Sequence, residues 1–266
     1  MIVLAQKNNS KNSLNSSQLT PFCPLRISKK TFSSGSYCES YSQREQLLVL
    51  LVMSGHIRVS TPSALLVVPP NNGIIIPAGV VYSLDFPTDA EVRTINLFPG
   101  SLTESSNGCC YIIGMTQLMQ VLIDEVSGLD ESYPIGGPQS RLVSALIDCM
   151  QTAPRKKFNL PMPSDPGARY IAETILQSPS EKANLNYWEK VVGANSRTIG
   201  KTFISEIGMN YRLYRRRIQI YASLLMLIEG RPINSVAFTV GFDSQREFIS
   251  IFKRIIGVTP HNIAAN

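Results

Sequence analysis

The chain has 266 residues, enough for one large domain or two ordinary ones, each with its own core. A composition of 44% hydrophobic, 17% charged and 8% aromatic residues excludes a disordered or collagen-like chain. The formal net charge of +6 belongs to the carboxyl-terminal part, because residues 167–266 hold 13 Lys and Arg against 7 Asp and Glu, whereas residues 1–166 hold 12 of each. A neutral region joined to a basic one points to a polyanionic partner for the basic part, and nucleic acid is the commonest.

In chain order, Met1 to Ala5 is apolar but meets Lys7 at once, without the ordered regions of a secretory signal, so a cytoplasmic protein is expected. Residues 1–20 are rich in Asn, Ser and Lys and read as a disordered tail. The longest apolar run, Leu47 to Met53, has a strand's length, and no membrane partner is expected. Short β-favouring runs follow one another between Leu25 and Pro99: Leu47 to Met53, Ile57 to Ser60, Ala64 to Val68, Gly73 to Ile76, Val80 to Phe86 and Val92 to Phe98. Turn residues punctuate them, and no helix intervenes, which predicts a sandwich or barrel rather than a parallel sheet. The period then becomes helical, with Leu118, Val121, Leu122 and Val126 in one stretch and Leu142, Ala145, Leu146 and Cys149 in the next. Residues 152–166, with four prolines and the cluster Arg155-Lys156-Lys157, read as an extended linker between a domain at 21–151 and another at 167–266. The five cysteines are odd in number and lack CxxC spacing, so they predict small buried hydrophobes rather than a disulfide framework or structural zinc.

The basic part carries its information in its breaks. Leu185, Trp188 and Val192 share one helical face, Gly193-Ala194-Asn195 interrupts, and Ser196 is the expected N-cap of a second helix bearing Ile199, Phe203 and Ile207. The pattern recurs: Ile233, Val236, Ala237 and Val240, then Gly241-Phe242-Asp243, then Ser244 as cap of a helix with Phe248, Phe252 and Ile255. Tyr211, Tyr214, Ile218, Tyr221, Leu225 and Ile228 describe one long helix between the two. Two helix-turn-helix units, about 184–207 and 233–256, joined by a rigid spacer on a basic background, imply a DNA-binding protein. Trp188, Phe203, Tyr221, Phe248 and Phe252 fall on the apolar stripes and are expected in the core.

Gly241-Phe242-Asp243-Ser244 through Phe248, Phe252-Lys253-Arg254 and Gly257-Val258-Thr259-Pro260 resemble the signature of the AraC/XylS transcription regulators. Asn195-Ser196-Arg197-Thr198 through Phe203, Glu206 and Gly208-Met209 resemble that family's first unit. Gln46-Leu47-Leu48, Val67-Val68-Pro69-Pro70 and Ile76-Pro77-Ala78-Gly79-Val80 are similar to the cupin-like sensor domain of one branch. The fold class expected is therefore multi-domain α and β: a cupin-like β-barrel with helices, then an all-α domain with two helix-turn-helix units. The resemblance implies double-stranded DNA as partner, a small-molecule effector in the barrel, a homodimer paired through the helices after it, and contact with RNA polymerase. That branch carries His-x-His before the Arg-x-Gln-Leu-Leu run and a further His after Ala-Gly-Val, where this chain has Ser40, Ser42 and Tyr82. Hydroxyls bind transition metals far less well than imidazoles, so no metal and no other cofactor is expected.

The same departure weighs against the rival reading of a cupin-type enzyme with a basic tail. His56 and His261 are the only histidines, both expected at turns or the surface, and neither a phosphate-binding loop nor a GxSxG elbow occurs. No catalytic residue is assigned. A non-specific nucleoid protein would need basic faces without two phased turns. If each second helix enters a major groove, its early outward residues face the bases. These are Arg197, Thr198, Gly200 and Lys201 in the first unit and Ser244, Gln245, Arg246 and Ser250 in the second. Arg197 and Arg246 suit bidentate reading of guanine, whereas Lys253 and Arg254 suit phosphate.

Overall fold

The computed structural model describes residues 25–41, 46–98, 100–102, 108–129 and 133–264. The expected tail at 1–20 lies outside the described residues. The chain divides into two compact units, one built from residues 1–61 and 68–156, the other from 62–67 and 157–266.

Among the described residues of the first unit, an antiparallel sheet has the order β1 (Leu25–Phe32), β8 (Ala90–Leu97), β3 (Leu47–Ser54), β6 (Asn72–Ile76), β9 (Tyr111–Gly114), β10 (Arg155–Lys156). A second layer pairs β4 (Ile57–Thr61) with β7 (Tyr82–Phe86) and β7 with β2 (Ser36–Tyr41). The register sorts side chains by parity. Val49, Leu51, Ile75, Ile95 and Ile113 face α1 (Gln117–Ser127) and α2 (Pro138–Thr152), where they pack with Met119, Ile123, Leu146 and Met150. Leu48, Leu50 and Val52, on the other face of β3, are also buried. A strand covered on both sides must be apolar throughout, hence the unbroken run Leu47 to Val52. The rings of Phe32 on β1 and Phe86 on β7 stack 3.9 Å apart, so the two sheets face one another. This is the two-layered β domain with helices that the sequence predicts.

Several expectations change. β1, β2 and β9 were not among the expected strands. On α1 the buried stripe is Met119, Leu122, Ile123 and Val126, while Leu118 and Val121 stay exposed. His56 is buried rather than at the surface: its Nδ1 lies 3.3 Å from the Thr88 hydroxyl, which also accepts from the His56 backbone N–H. His261 is exposed on the last helix. The expected buried cysteines are not buried either, since Cys109 is exposed and Cys38, Cys110 and Cys149 are half-buried. Cys23 lies outside the described residues. Burial and the neighbouring Cys109 push the Cys110 thiol up to about 12. Residues 152–166 are not a free linker: α2 runs through Thr152, β10 pairs with β9, β11 (Asn159–Pro161) pairs with β5 (Ala64–Val68), and Pro166 opens a helix. The overlooked signal is the alternation Phe158, Leu160, Met162, all buried, inside a proline-rich stretch.

The second unit is helical around α6 (Tyr211–Ile228), with α3 (Pro166–Gln177), α4 (Leu185–Val192), α5 (Ser196–Thr202), α7 (Ile233–Thr239), α8 (Gln245–Ile256) and α9 (Pro260–Ala264). From Ile218 to Leu224 every residue of α6 is buried, as expected of a helix packed on all sides. Val67 and Leu160 of the β5–β11 ribbon join Ile171, Trp188, Phe203 and Ile218 in one core. The sequence did not foresee α3 or α9.

Candidate nucleic-acid interface

The first helix-turn-helix is α4 and α5. Asn184 caps α4 through its side-chain oxygen, and Gly193 ends it in the left-handed region at φ 71°, where a Cβ would be strained. Asn195, not Ser196, caps α5: its Oδ1 accepts from the Thr198 N–H at 2.8 Å and from the Thr198 hydroxyl at 3.0 Å. Asn fills this role as well as Ser does, and it stands one residue earlier. The helix then widens into a π-helical segment, Phe203–Ile207, closed by Gly208 at φ 74°.

Hydrogen bonds lock this unit in place. The Trp188 indole donates to the Tyr211 hydroxyl at 2.7 Å, which donates to the Ala183 carbonyl at 2.7 Å. The Glu206 carboxylate accepts from the backbone N–H groups of Ser164 and Asp165 at 2.6 and 3.1 Å.

The second helix-turn-helix is α7 and α8. Gly241 has φ 89°, and a Cβ there would come within 2.7 Å of the Ser180 backbone, so glycine is required twice over. Ser244 caps α8 by accepting from the Glu247 N–H at 3.2 Å. Glu247 stands where a capping box would turn its carboxylate back to the cap, yet that carboxylate pairs with Arg216 of α6 at 2.7 Å. Arg216 also lies 4.6 Å from the Phe242 ring centroid and bonds the Gln219 side-chain oxygen. Gln219, fully buried, donates to the Val240 and Pro179 carbonyls. Phe242, Phe248 and Phe252 form a consecutive aromatic cluster beneath α8. Sequence reasoning missed Arg216 and Gln219, although a glutamine on the apolar stripe of α6 was a usable signal.

The ten sequence-predicted positions fall into four groups. Arg197 and Lys201 on α5, and Arg246, Ser250, Lys253 and Arg254 on α8, are exposed. Thr198 and Ser244 are exposed too, but their hydroxyls serve the caps. Gly200 is half-buried, and a Cβ there would sit 3.8 Å from Leu185, so it faces α4 rather than a ligand. Gln245, half-buried, lines with Arg246, Ile249 and Ser250 an open hollow of about 590 Å³. The opposite faces, Ile199 and Phe203 in one unit and Phe248, Phe252 and Ile256 in the other, are buried.

A family model described as a helix-turn-helix domain matches residues 188–266. The HTH-type transcriptional regulator NimR of Escherichia coli is 28% identical over 212 residues, spanning 80% of this chain and 77% of NimR. The chain is a DNA-binding transcription regulator with a carboxyl-terminal helix-turn-helix domain. The regulator is also 25% identical over 100 residues to the HTH-type transcriptional regulator RipA of Corynebacterium glutamicum, across 38% of this chain and 30% of RipA. A solved structure of ToxT from Vibrio cholerae aligns with a TM-score of 0.39 and 13% identity, covering 91% of this regulator and 98% of ToxT. No helix among the described residues is long and apolar enough to cross a membrane, and no cluster of three or more metal-ligating side chains occurs among them.

Proposed function

We propose that the regulator reads two adjacent major grooves on one side of double-stranded DNA, α5 entering the first and α8 the second. The supporting observation is that both helices present basic and polar residues outward near their amino-terminal ends while the opposite face is buried on one continuous helix, α6. A rigid spacer sets the grooves about one helical turn, roughly 34 Å, apart. Arg197 and Arg246 grip base edges, with Lys201, Gln245 and Ser250 beside them, and Lys253 and Arg254 meet phosphate. Thr198 and Ser244 approach the backbone from their caps. The protein acts in the cytoplasm without catalysis, as a homodimer that contacts RNA polymerase, and a small molecule in the amino-terminal barrel adjusts its affinity for DNA.

Selection of random duplexes on the purified full chain, followed by sequencing, tests the reading. Two conserved half-sites spaced by one turn are expected. Enrichment without any consensus would identify a non-specific DNA coater instead.

A further inference from the structure

One apolar side chain stands at the border of the outward row of α8. Arg246, Ser250 and Lys253 are exposed and polar or charged, while Phe248, Phe252 and Ile256 form the buried stripe. Ile249 lies three residues after Arg246 and four before Lys253, so on the helix surface it is the neighbour of both. It is half-buried, and with Gln245, Arg246 and Ser250 it lines the open hollow of about 590 Å³. An isoleucine in a helix is held in essentially one χ1 rotamer, so it offers a fixed apolar surface that costs little to order.

The charges around Ile249 name the occupant of that hollow. Arg246, Lys253 and Arg254 are exposed and form no ion pair among the described residues, which suits a polyanion. In the major groove the base pairs present donors and acceptors, and the apolar group they offer is the C5 methyl of thymine. The first unit supplies an internal contrast. Counted from the N-caps Asn195 and Ser244, Arg197 matches Arg246 and Gly200 matches Ile249. A glycine has no side chain to meet a methyl, and at Gly200 an added Cβ would sit 3.8 Å from Leu185 of α4.

We infer that Ile249 is a specificity-determining residue that packs on the C5 methyl of a thymine beside the base pair read by Arg246. The assignment rests on the docking of α8 proposed above and names the base which that docking selects. The contact belongs to the half-site of α8 alone, since α5 carries glycine at the matching place.

The test uses the full-length protein and an operator recovered from the duplex selection, with each thymine replaced in turn by deoxyuridine. Uracil keeps the hydrogen-bonding groups of thymine and lacks only the methyl. At one thymine in the half-site of α8 the replacement should weaken binding about threefold to fivefold, the worth of one buried methyl-sized group. Ile249→Ala should bind the thymine and uracil operators equally at that position, whereas Ser250→Ala should keep the difference. Any uracil effect in the half-site of α5 should be the same in the Ile249→Ala protein as in the unaltered one. The scan with the unaltered protein already decides the first point: no uracil effect anywhere in the half-site of α8 overturns the assignment. In that case a consensus that still depends on Arg246 leaves the docking standing. A uracil effect that persists in Ile249→Ala also overturns the assignment, because the methyl then meets another side chain. A selection that yields no consensus removes the docking itself, and the thymine contact with it.

Discussion

The two helix-turn-helix units share a plan but are fastened differently. The first has a second helix of 7 residues that widens into a π-helical segment, and its Glu206 ties it to the backbone before α3. The second has a straight helix of 12 residues whose Glu247 is tied to Arg216 in the middle of the unit. In each, an acidic side chain on the second helix or its continuation holds that helix against its own unit, and Arg197, Lys201, Arg246, Lys253 and Arg254 form no ion pair among the described residues. The difference lies in what holds the helix: one is bound to the entrance of the unit, the other to its spine. In the proposed docking, α8, longer and uniformly α-helical, is the better base for sequence discrimination, and α5 is the better candidate for an adjustable contact.

The most severe way to break the comparison is through the cores. Phe252 is fully buried between Phe248 and the rest of the second unit. Phe252→Ala should cost about 3–5 kcal/mol, and Phe203→Ala, equally buried beside Tyr211 and Tyr214, a similar amount in the first. Urea denaturation reads both. A stable, fully folded Phe252→Ala protein that merely loses DNA would show that the ring is a contact and not core.

Next in size is base reading. Arg246→Ala should cost about 1–3 kcal/mol of operator affinity and relax preference at one or two adjacent base pairs, and Arg197→Ala should do the same one turn away. A library of single-base operator variants measures it. An Arg246→Ala protein with an unchanged specificity profile removes α8 from the groove.

How much of this was legible in the sequence depends on the physics each part obeys. Both helix-turn-helix units could be read because helical periodicity and turn chemistry are local, as with Trp188, Phe203, Phe248 and Phe252 on single stripes. The lock between Arg216 and Glu247 could not, since 31 residues separate partners that only packing brings together. The π-helical segment was equally hidden, because Ile199, Phe203 and Ile207 have ordinary α spacing and only the closing Gly208 marks the change. In the first unit the runs from Leu47 onward announced themselves as strands, while β1 did not: one of its faces is polar, so Arg26 to Lys30 dilutes the hydrophobic signal. The candidate contacts on α5 and α8 follow from periodicity, but Gly200 shows the limit, since only the structure reveals that α4 stands over it.

A smaller effect concerns the caps. Asn195→Ala removes the acceptor that holds the start of α5 and should destabilise the protein by about 1 kcal/mol, with Ser244→Ala costing a comparable amount at α8. Asn195→Asp should restore stability, because a carboxylate accepts the same N–H and favours the positive end of the helix. Thermal unfolding distinguishes these. If Asn195→Ala is neutral while Ser196→Ala is not, the cap is one residue later than the hydrogen bonds indicate.

The smallest expected change separates positioning from reading. Lys253 is exposed in the last turn of α8, seven residues beyond Arg246 and on the same side of the helix. A reading helix meets base edges with its amino-terminal residues, so by that point the helix has left the bases and runs beside the phosphates. Each neutralised phosphate contributes about 0.9 to the slope of log affinity against log salt. Lys253→Ala should therefore weaken every operator variant alike, leave the preference at each base pair intact, and make the salt dependence shallower by about one unit of slope. Lys201, one turn from Arg197 on the shorter α5, offers the contrast: placed next to the bases, its loss should change preference as well as slope. Titrations of both variants at two salt concentrations decide the matter. If Lys253→Ala alters base preference while Lys201→Ala changes only the slope, the roles assigned to the two helices are reversed.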